Sequence, residues 1–425
     1  MQFTQTIKRV LSLVLCVALL GLCTAAMPSC DIPSFAEDVP MRHPFVFVHG
    51  LGGFGEDVAS PISYWGSTAG DLMPELRDAG FECYAPSVSP SGSAWDRACE
   101  LYAQMTGQTV DYGAAHSAAY GHARFGKTYT TPLFEGWGEK TAEGGLLKVN
   151  LIGHSFGGAT TRLFAQLMRS GNIEEQNASP EDCSDFFKGG KGDWIFSVTS
   201  LAAPHNGVSL LAAVNASPAL AAGASLLTET TIGSALLDQL EKAGISLGGM
   251  NLSDVVRAAQ TEDTAFYDLS IHGAQKLNEG ISTFANTYYF SFPVDGTKET
   301  VSGNYVATDD MSLPLRVLAA LIAKYEGEES GIAIDDTWKP NDGLVNTISA
   351  TAPFNDVRQS YPTEENPTLL RGRWYVMPTM RGDHGTPVGM GRKMDDTKAF
   401  YIEHMQLIDS LSFGTQSNQT IKTEE

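Results

Sequence analysis

The feature that most constrains this chain is "VNLIGHSFGGATTRLFAQLM", residues 149–168. A β-branched apolar run breaks at Gly153-His154-Ser155-Phe156-Gly157 and resumes with helical spacing. A G-x-S-x-G between strand and helix is a nucleophile elbow, a turn so tight that the residues around the serine must lack bulk near the backbone. The unpaired N–H groups and positive dipole end of the following helix suit an oxyanion formed beside that serine. A chain built around such a corner is committed to a sheet whose strands run into helices.

The rest of the sequence fits that commitment. "HPFVFVHGLGGFG" (43–55) reads as a buried strand entering a glycine-rich loop. Residues 71–88 read as a helix, a turn at Gly80 and a strand. Further strands are expected in 193–207, in 286–294 and, as the last, in "GRWYVMPTM" (372–380), before a terminal helix over about Thr397–Leu411. The expected fold class is α/β, with a mostly parallel central sheet covered by helices on both faces and its site beyond the carboxyl ends of the strands. The alanine- and leucine-rich stretch 208–227 reads either as a core helix pair or as a mobile apolar cap, and its place after the Pro204-His205 loop favours the cap.

Lys8 and Arg9 followed by "VLSLVLCVALLGLCTAA" form a secretory leader pattern, slightly short for a membrane span. Residues 1–30 are expected to be a signal peptide, and 31–425 one domain secreted to the extracellular space. An uncleaved anchor, or lipid attachment at Cys23 or Cys30, is the alternative. A net charge of −21 over 425 residues argues against sequence-independent nucleic-acid binding. The six cysteines, with Cys16 and Cys23 in the leader's apolar run and Cys30 at its expected end, are too few for a disulfide framework, and those of the mature chain read as buried thiols.

A serine hydroxyl needs a base, and on such a sheet the partners follow in the order serine, acid, histidine. Of the nine histidines, His272, His384 and His404 follow Ser155 at a useful distance. His384 lies in a loop after the last expected strand, His404 within the terminal helix pattern, and His272 ahead of the best acid. His384 is therefore the expected base. Asp342, in the turn "KPNDGLVNTIS", is the expected acid, ahead of Asp335 and Asp336. The backbone N–H groups of Leu51 and Phe156 are the expected oxyanion donors.

Several stretches carry a resemblance: "FVHGLGGFG", "YWG" (64–66), the long and specific run from Trp95 to Tyr129, "HSFGG", "SVTSLAAPHNG", "DTAFYDLS" (263–270), "NTYYFSF" and "NDGLVNT". Over residues 43–411 the chain resembles the secreted, zinc-containing thermoalkalophilic lipases of Gram-positive bacteria, which are α/β-hydrolases. That resemblance implies the same triad, Ser155, Asp342 and His384. It also implies a structural zinc on Asp96, His116, His122 and Asp263, within an extra segment at about 89–130, and a helical lid at about 208–262. Without the resemblance, two histidines six residues apart would read as loop residues.

Three departures stand out. Phe156 replaces the family's glutamine. Thr386 and Gly391 stand where calcium-binding carboxylates would be, so calcium is not expected. The cap is shorter than the family's. The resulting expectation is a secreted triacylglycerol lipase acting on lipid esters at an oil–water interface, with no nucleic-acid or protein partner implied. The alternatives are a short-chain carboxylesterase or acyltransferase on the same triad, an inactive hydrolase fold serving as a surface binding protein, and a metallohydrolase.

Overall fold

A computed structural model describes residues 39–216, 258–364 and 367–413. The expected leader and most of the expected lid lie outside the described residues, which all belong to one contact unit, Asp38–Glu425.

Seven strands form the central sheet: β1 (Phe45–Val48), β2 (Cys83–Tyr84), β3 (Val149–His154), β4 (Ile195–Leu201), β5 (Tyr288–Phe292), β6 (Arg358–Ser360) and β7 (Trp374–Val376). Their order is β6-β7-β5-β4-β3-β1-β2, and every neighbouring pair is parallel. The inner strands show no apolar–polar alternation towards solvent because both faces are buried, including Asn150, Ser197, Thr199, Ser200 and Ser291. Side chains still alternate in direction, and the two sets enter different cores. Val46, Val48, Leu151 and Val198 pack with α2 (Ala94–Thr106) and α4 (Phe156–Ser170). Phe45, Phe47, Ile152 and Phe196 pack with α1 (Leu72–Asp78) and α8 (Met394–Phe413). Between these lie α3 (Ala114–Tyr120), α5 (Ser209–Ala216), α6 (Ala265–Leu269) and α7 (Leu313–Lys324), with several short turns of helix.

Two features depart from the sequence reading. "GRWYVMPTM" holds β7, the last strand of the central sheet, but only over Trp374–Val376: Pro378 there and Pro293 after β5, which have no N–H to donate, end both strands short of the expected runs. Their continuations, Val294–Asp295 and Met380–Arg381, pair in a separate parallel ribbon that carries the chain towards His384. The edge strand β6, Arg-Gln-Ser, is exposed throughout and has no apolar signature to read. Within residues 89–130, α2 is part of the layer covering the sheet, and the ribbon of Thr109–Asp111 against Phe125–Thr128 stands outside it. No described helix is long and apolar enough to cross a membrane.

Candidate functional site

Ser155 sits between β3 and α4 with φ 55° and ψ −126°, a strained conformation for a residue with a side chain. The surroundings enforce it. A Cβ on Gly157 would overlap the Val48 carbonyl oxygen, one on Gly153 the Gly157 carbonyl, and one on Gly158 the Ala203 methyl. Gly157→Ala is therefore expected to cost at least about 2 kcal/mol, since backbone atoms must move. A thermal melt followed by circular dichroism checks this, and an unchanged midpoint would contradict it.

The three residues chosen from order and context converge at that corner. His384 Nε2 lies 2.8 Å from Ser155 Oγ, and His384 Nδ1 lies 2.8 Å from Asp342 Oδ2. A carboxylate only accepts, so Nδ1 donates to Asp342 and Nε2 is left to accept from the serine hydroxyl. The other carboxylate oxygen of Asp342 accepts the Leu344 and Val345 amides at 3.0 and 2.8 Å. The His384 amide donates to the Asp342 carbonyl at 2.9 Å, so side chain and main chain hold the pair twice. Ser155, His384 and Asp342 are 9%, 2% and 1% exposed. The rivals lie elsewhere. Asp335 caps a helical turn through Thr337, Asp336 pairs with Lys339, and His272 is exposed beside Ser330. His404 is buried against Thr199 Oγ1, where desolvation lowers its pKa to about 3 and keeps it neutral.

Phe156 follows the serine directly in the chain, and Leu51 follows Gly50 in the loop after β1. Gly50 packs so closely that a Cβ there would meet Ser155 Cβ at 2.8 Å. The Phe156 side chain turns into the core, with the Arg97 guanidinium 5.0 Å from its ring centroid. That explains how phenylalanine occupies this position: only its backbone faces the corner. Four buried polar residues around the corner carry no local sequence signal of burial: His49, Tyr64, Arg97 and His154. Arg97, fully buried, donates to Ser89 O (2.9 Å), Gly50 O (3.4 Å), Thr160 Oγ1 (2.9 Å) and His49 O. Desolvation lowers its pKa to about 10, still charged at neutral pH.

A second cluster lies beside the amino end of α2. Asp96 stands in the first turn of α2, and His116 lies on α3. Gly121 then ends α3 in a left-handed conformation (φ 76°), which turns His122 back towards His116. This brings together two histidines that could not share a helix face. Asp263, itself at φ 63°, precedes Thr264, which bridges to Gly92. One ligand atom from each of the four residues lies within 4.8 Å of the others. Asp96 Oδ1, His116 Nε2, His122 Nε2 and Asp263 Oδ1 are buried with no hydrogen-bond partner. Two nitrogens and two oxygens converge here, His116 Nε2 lying 3.1 Å from Asp263 Oδ1 and 3.3 Å from Asp96 Oδ1, a donor set that fits a tetrahedral divalent cation. His122 Nδ1 donates to the Ala123 carbonyl at 3.0 Å, leaving Nε2 bare as a ligand nitrogen should be. Burial opposes charge on His116, yet the Asp263 and Asp96 carboxylates outweigh it and push its pKa up to about 9. Positive charge is thus favoured at this place.

Residues 41–219 and 252–422 match the sequence model described as "Lipase-like, C-terminal domain". The chain belongs to that family. A lipase of Staphylococcus hyicus is 37% identical over 390 residues, covering 88% of this chain and 58% of that protein. Lipase 1 of Staphylococcus aureus is 34% identical over 371 residues, 82% of this chain and 51% of that one. The chain thus spans little more than half the length of these lipase-family relatives. The crystal structure of Staphylococcus hyicus lipase superposes with a TM-score of 0.69 at 33% identity, covering 92% of this chain and all of that one. The parallel sheet between two helical layers is therefore an α/β-hydrolase fold, here in its lipase-family form.

Proposed function

We propose that this chain is a secreted carboxylic ester hydrolase, a triacylglycerol lipase working through Ser155, His384 and Asp342. The observation that carries the proposal is the unbroken chain of hydrogen bonds from Ser155 Oγ through His384 to Asp342. His384 Nε2 takes the serine proton as Oγ bonds to the ester carbonyl carbon. The Leu51 and Phe156 amides stabilise the oxyanion. The tetrahedral adduct collapses with cleavage of the ester C–O bond, and the imidazolium returns the proton to the departing alcohol. Water, deprotonated by the same imidazole, then releases the acid and restores the serine. Asp342 holds the imidazole in the required tautomer and stabilises its cation.

An apolar wall supports a lipid ester as substrate. Val208, Leu210 and Leu211 of the α5 segment pack with Phe266, Ile322 and Val345, and Leu51 rests against this cluster. An acyl chain beside Leu51 would thus meet hydrocarbon. Residues 208–262, of which 217–257 lie outside the described residues, are read from the sequence as the lid, and residues 1–30 as a leader removed on export. Asp96, His116, His122 and Asp263 would hold zinc, which would cross-link α2, α3 and the segment before α6. With four protein ligands the ion has no open position, so its role is structural.

A fluorophosphonate probe followed by peptide mapping tests the central claim. Label on Ser155 is expected, and an unlabelled folded protein would point to a binding module instead. Comparing turnover of tributyrin with triolein tests the substrate class. Comparable rates are expected, whereas activity on tributyrin alone would make the enzyme a short-chain esterase.

A further inference from the structure

Gly50 is gripped at both its polar groups. Its N–H donates to Tyr64 Oη at 2.8 Å. Tyr64 Oη lies 2.6 Å from His154 Nδ1, and His154 Nε2 lies 2.9 Å from the His384 carbonyl oxygen. The ends of this chain determine its direction. A carbonyl only accepts, so His154 Nε2 carries the proton and Nδ1 is bare. Nδ1 therefore accepts from the Tyr64 hydroxyl, whose oxygen accepts from Gly50. With a neutral imidazole, no other proton arrangement satisfies all three bonds. Burial holds His154 well below the usual histidine range, so its ring is neutral as this order requires.

On its other side the Gly50 carbonyl accepts from His49 Nδ1 at 2.9 Å and from Arg97 at 3.4 Å. His49 Nε2 accepts the Val88 amide at 3.1 Å, which leaves Nδ1 as the protonated nitrogen. In a trans peptide the carbonyl of one residue and the N–H of the next point in opposite directions. Holding the Gly50 carbonyl against Arg97 and His49 therefore aims the Leu51 N–H the other way.

We propose that Tyr64 and His154 are positioning residues: their relay ties the Gly50 amide, one peptide before the Leu51 oxyanion donor, to the main chain of His384. The inference rests on the triad reading given above. Its consequence is that donor and base keep one spacing. A preorganised donor needs no reorientation when charge develops on the substrate oxygen. The relay runs through the residue preceding Ser155 in the elbow, so nucleophile, base and the Gly50 residue that leads into the oxyanion donor are joined by three buried bonds that touch no substrate.

Tyr64→Phe tests this by removing one oxygen and keeping the ring. With a p-nitrophenyl ester, kcat is expected to fall about 10- to 100-fold while KM stays within about twofold, because the lost alignment matters mainly in the transition state. Affinity for an alkylboronic acid, whose adduct with Ser155 places an oxygen where the oxyanion forms, should fall by a similar factor. A purely structural role would lower the melting temperature and leave both values of the folded protein unchanged; that result overturns the proposal. If Tyr64→Phe yields no folded protein, His154→Phe is read by the same split, with the same overturning result. Where both fold, the double variant should lose no more kcat than the worse single variant, since one relay is broken either way. Additive losses would overturn the relay. A wild-type protein that a fluorophosphonate leaves unlabelled removes the triad reading and this inference together. A labelled wild type with unaltered Tyr64→Phe turnover removes the inference alone.

Discussion

Ser155→Ala is expected to lower kcat for ester hydrolysis by about five to six orders of magnitude, because members of a catalytic triad act as a unit. Without Oγ there is no acyl-enzyme, and His384 has no proton to take from the elbow. What remains is the oxyanion hole and binding, which sustain a residual rate about 1000- to 10,000-fold above water in related chemistry. The fold should survive. The elbow depends on Gly153, Gly157 and Gly158 and on the Ser155 amide, which donates to the Leu201 carbonyl at 2.8 Å, none of which needs the hydroxyl. Ester turnover should thus vanish at an unchanged melting temperature. Turnover within tenfold of wild type would remove Ser155 from the chemistry.

The second large effect is on stability. Exhaustive chelation is expected to lower the melting temperature by on the order of 10 °C, with activity lost only as structure is lost. A ligand that binds the folded state alone at about 1000 times its dissociation constant stabilises it by about 4 kcal/mol. Taking the cation away leaves Asp96 and Asp263 facing each other across the two imidazoles, with the buried ligand atoms short of partners. It also loosens the join between the start of α2 and the segment before α6, otherwise made by the Gly92–Thr264 bridge, by Ala265 N to Ser91 O at 3.1 Å, and by Asp268 Oδ2 accepting the Ala94 amide at 2.7 Å. Calorimetry with a metal count on the same sample reads this directly. Immediate loss of turnover at an unchanged melting temperature would instead assign the cation to catalysis. Asp96→Asn should reproduce part of the effect in metal-replete buffer.

What was legible in the sequence was what short-range physics decides. A serine between glycines at the end of an apolar run makes a tight corner, since a Cβ at 153 meets the Gly157 carbonyl only four residues on. The runs at 45–48, 149–154, 195–201 and 288–292 read as buried strands because apolar β-branched and aromatic residues crowd together there. The chain order of serine, acid and histidine, with the loop or helix context of each candidate, put Asp342 and His384 ahead of Asp335, Asp336, His272 and His404. Exposed β6 was invisible, since strand pairing through the backbone leaves no mark on Arg-Gln-Ser. The ends of β5 and β7 were overrun, because proline's missing N–H matters only once a neighbouring strand asks for it.

The sequence by itself determined the corner, the α/β layering and a short set of candidates for the serine's partners. Only the tertiary structure decided that residues 155, 342 and 384 meet within hydrogen-bond distance, that Gly121 turns His122 back onto His116, and that Tyr64 and His154 join Gly50 to His384. The reason is range. Sterics and hydrophobic periodicity act between residues a few positions apart, and so are written locally. A buried polar side chain is stable only with a partner, and here most of those partners come from segments dozens to hundreds of residues away, brought within reach by the order of the strands.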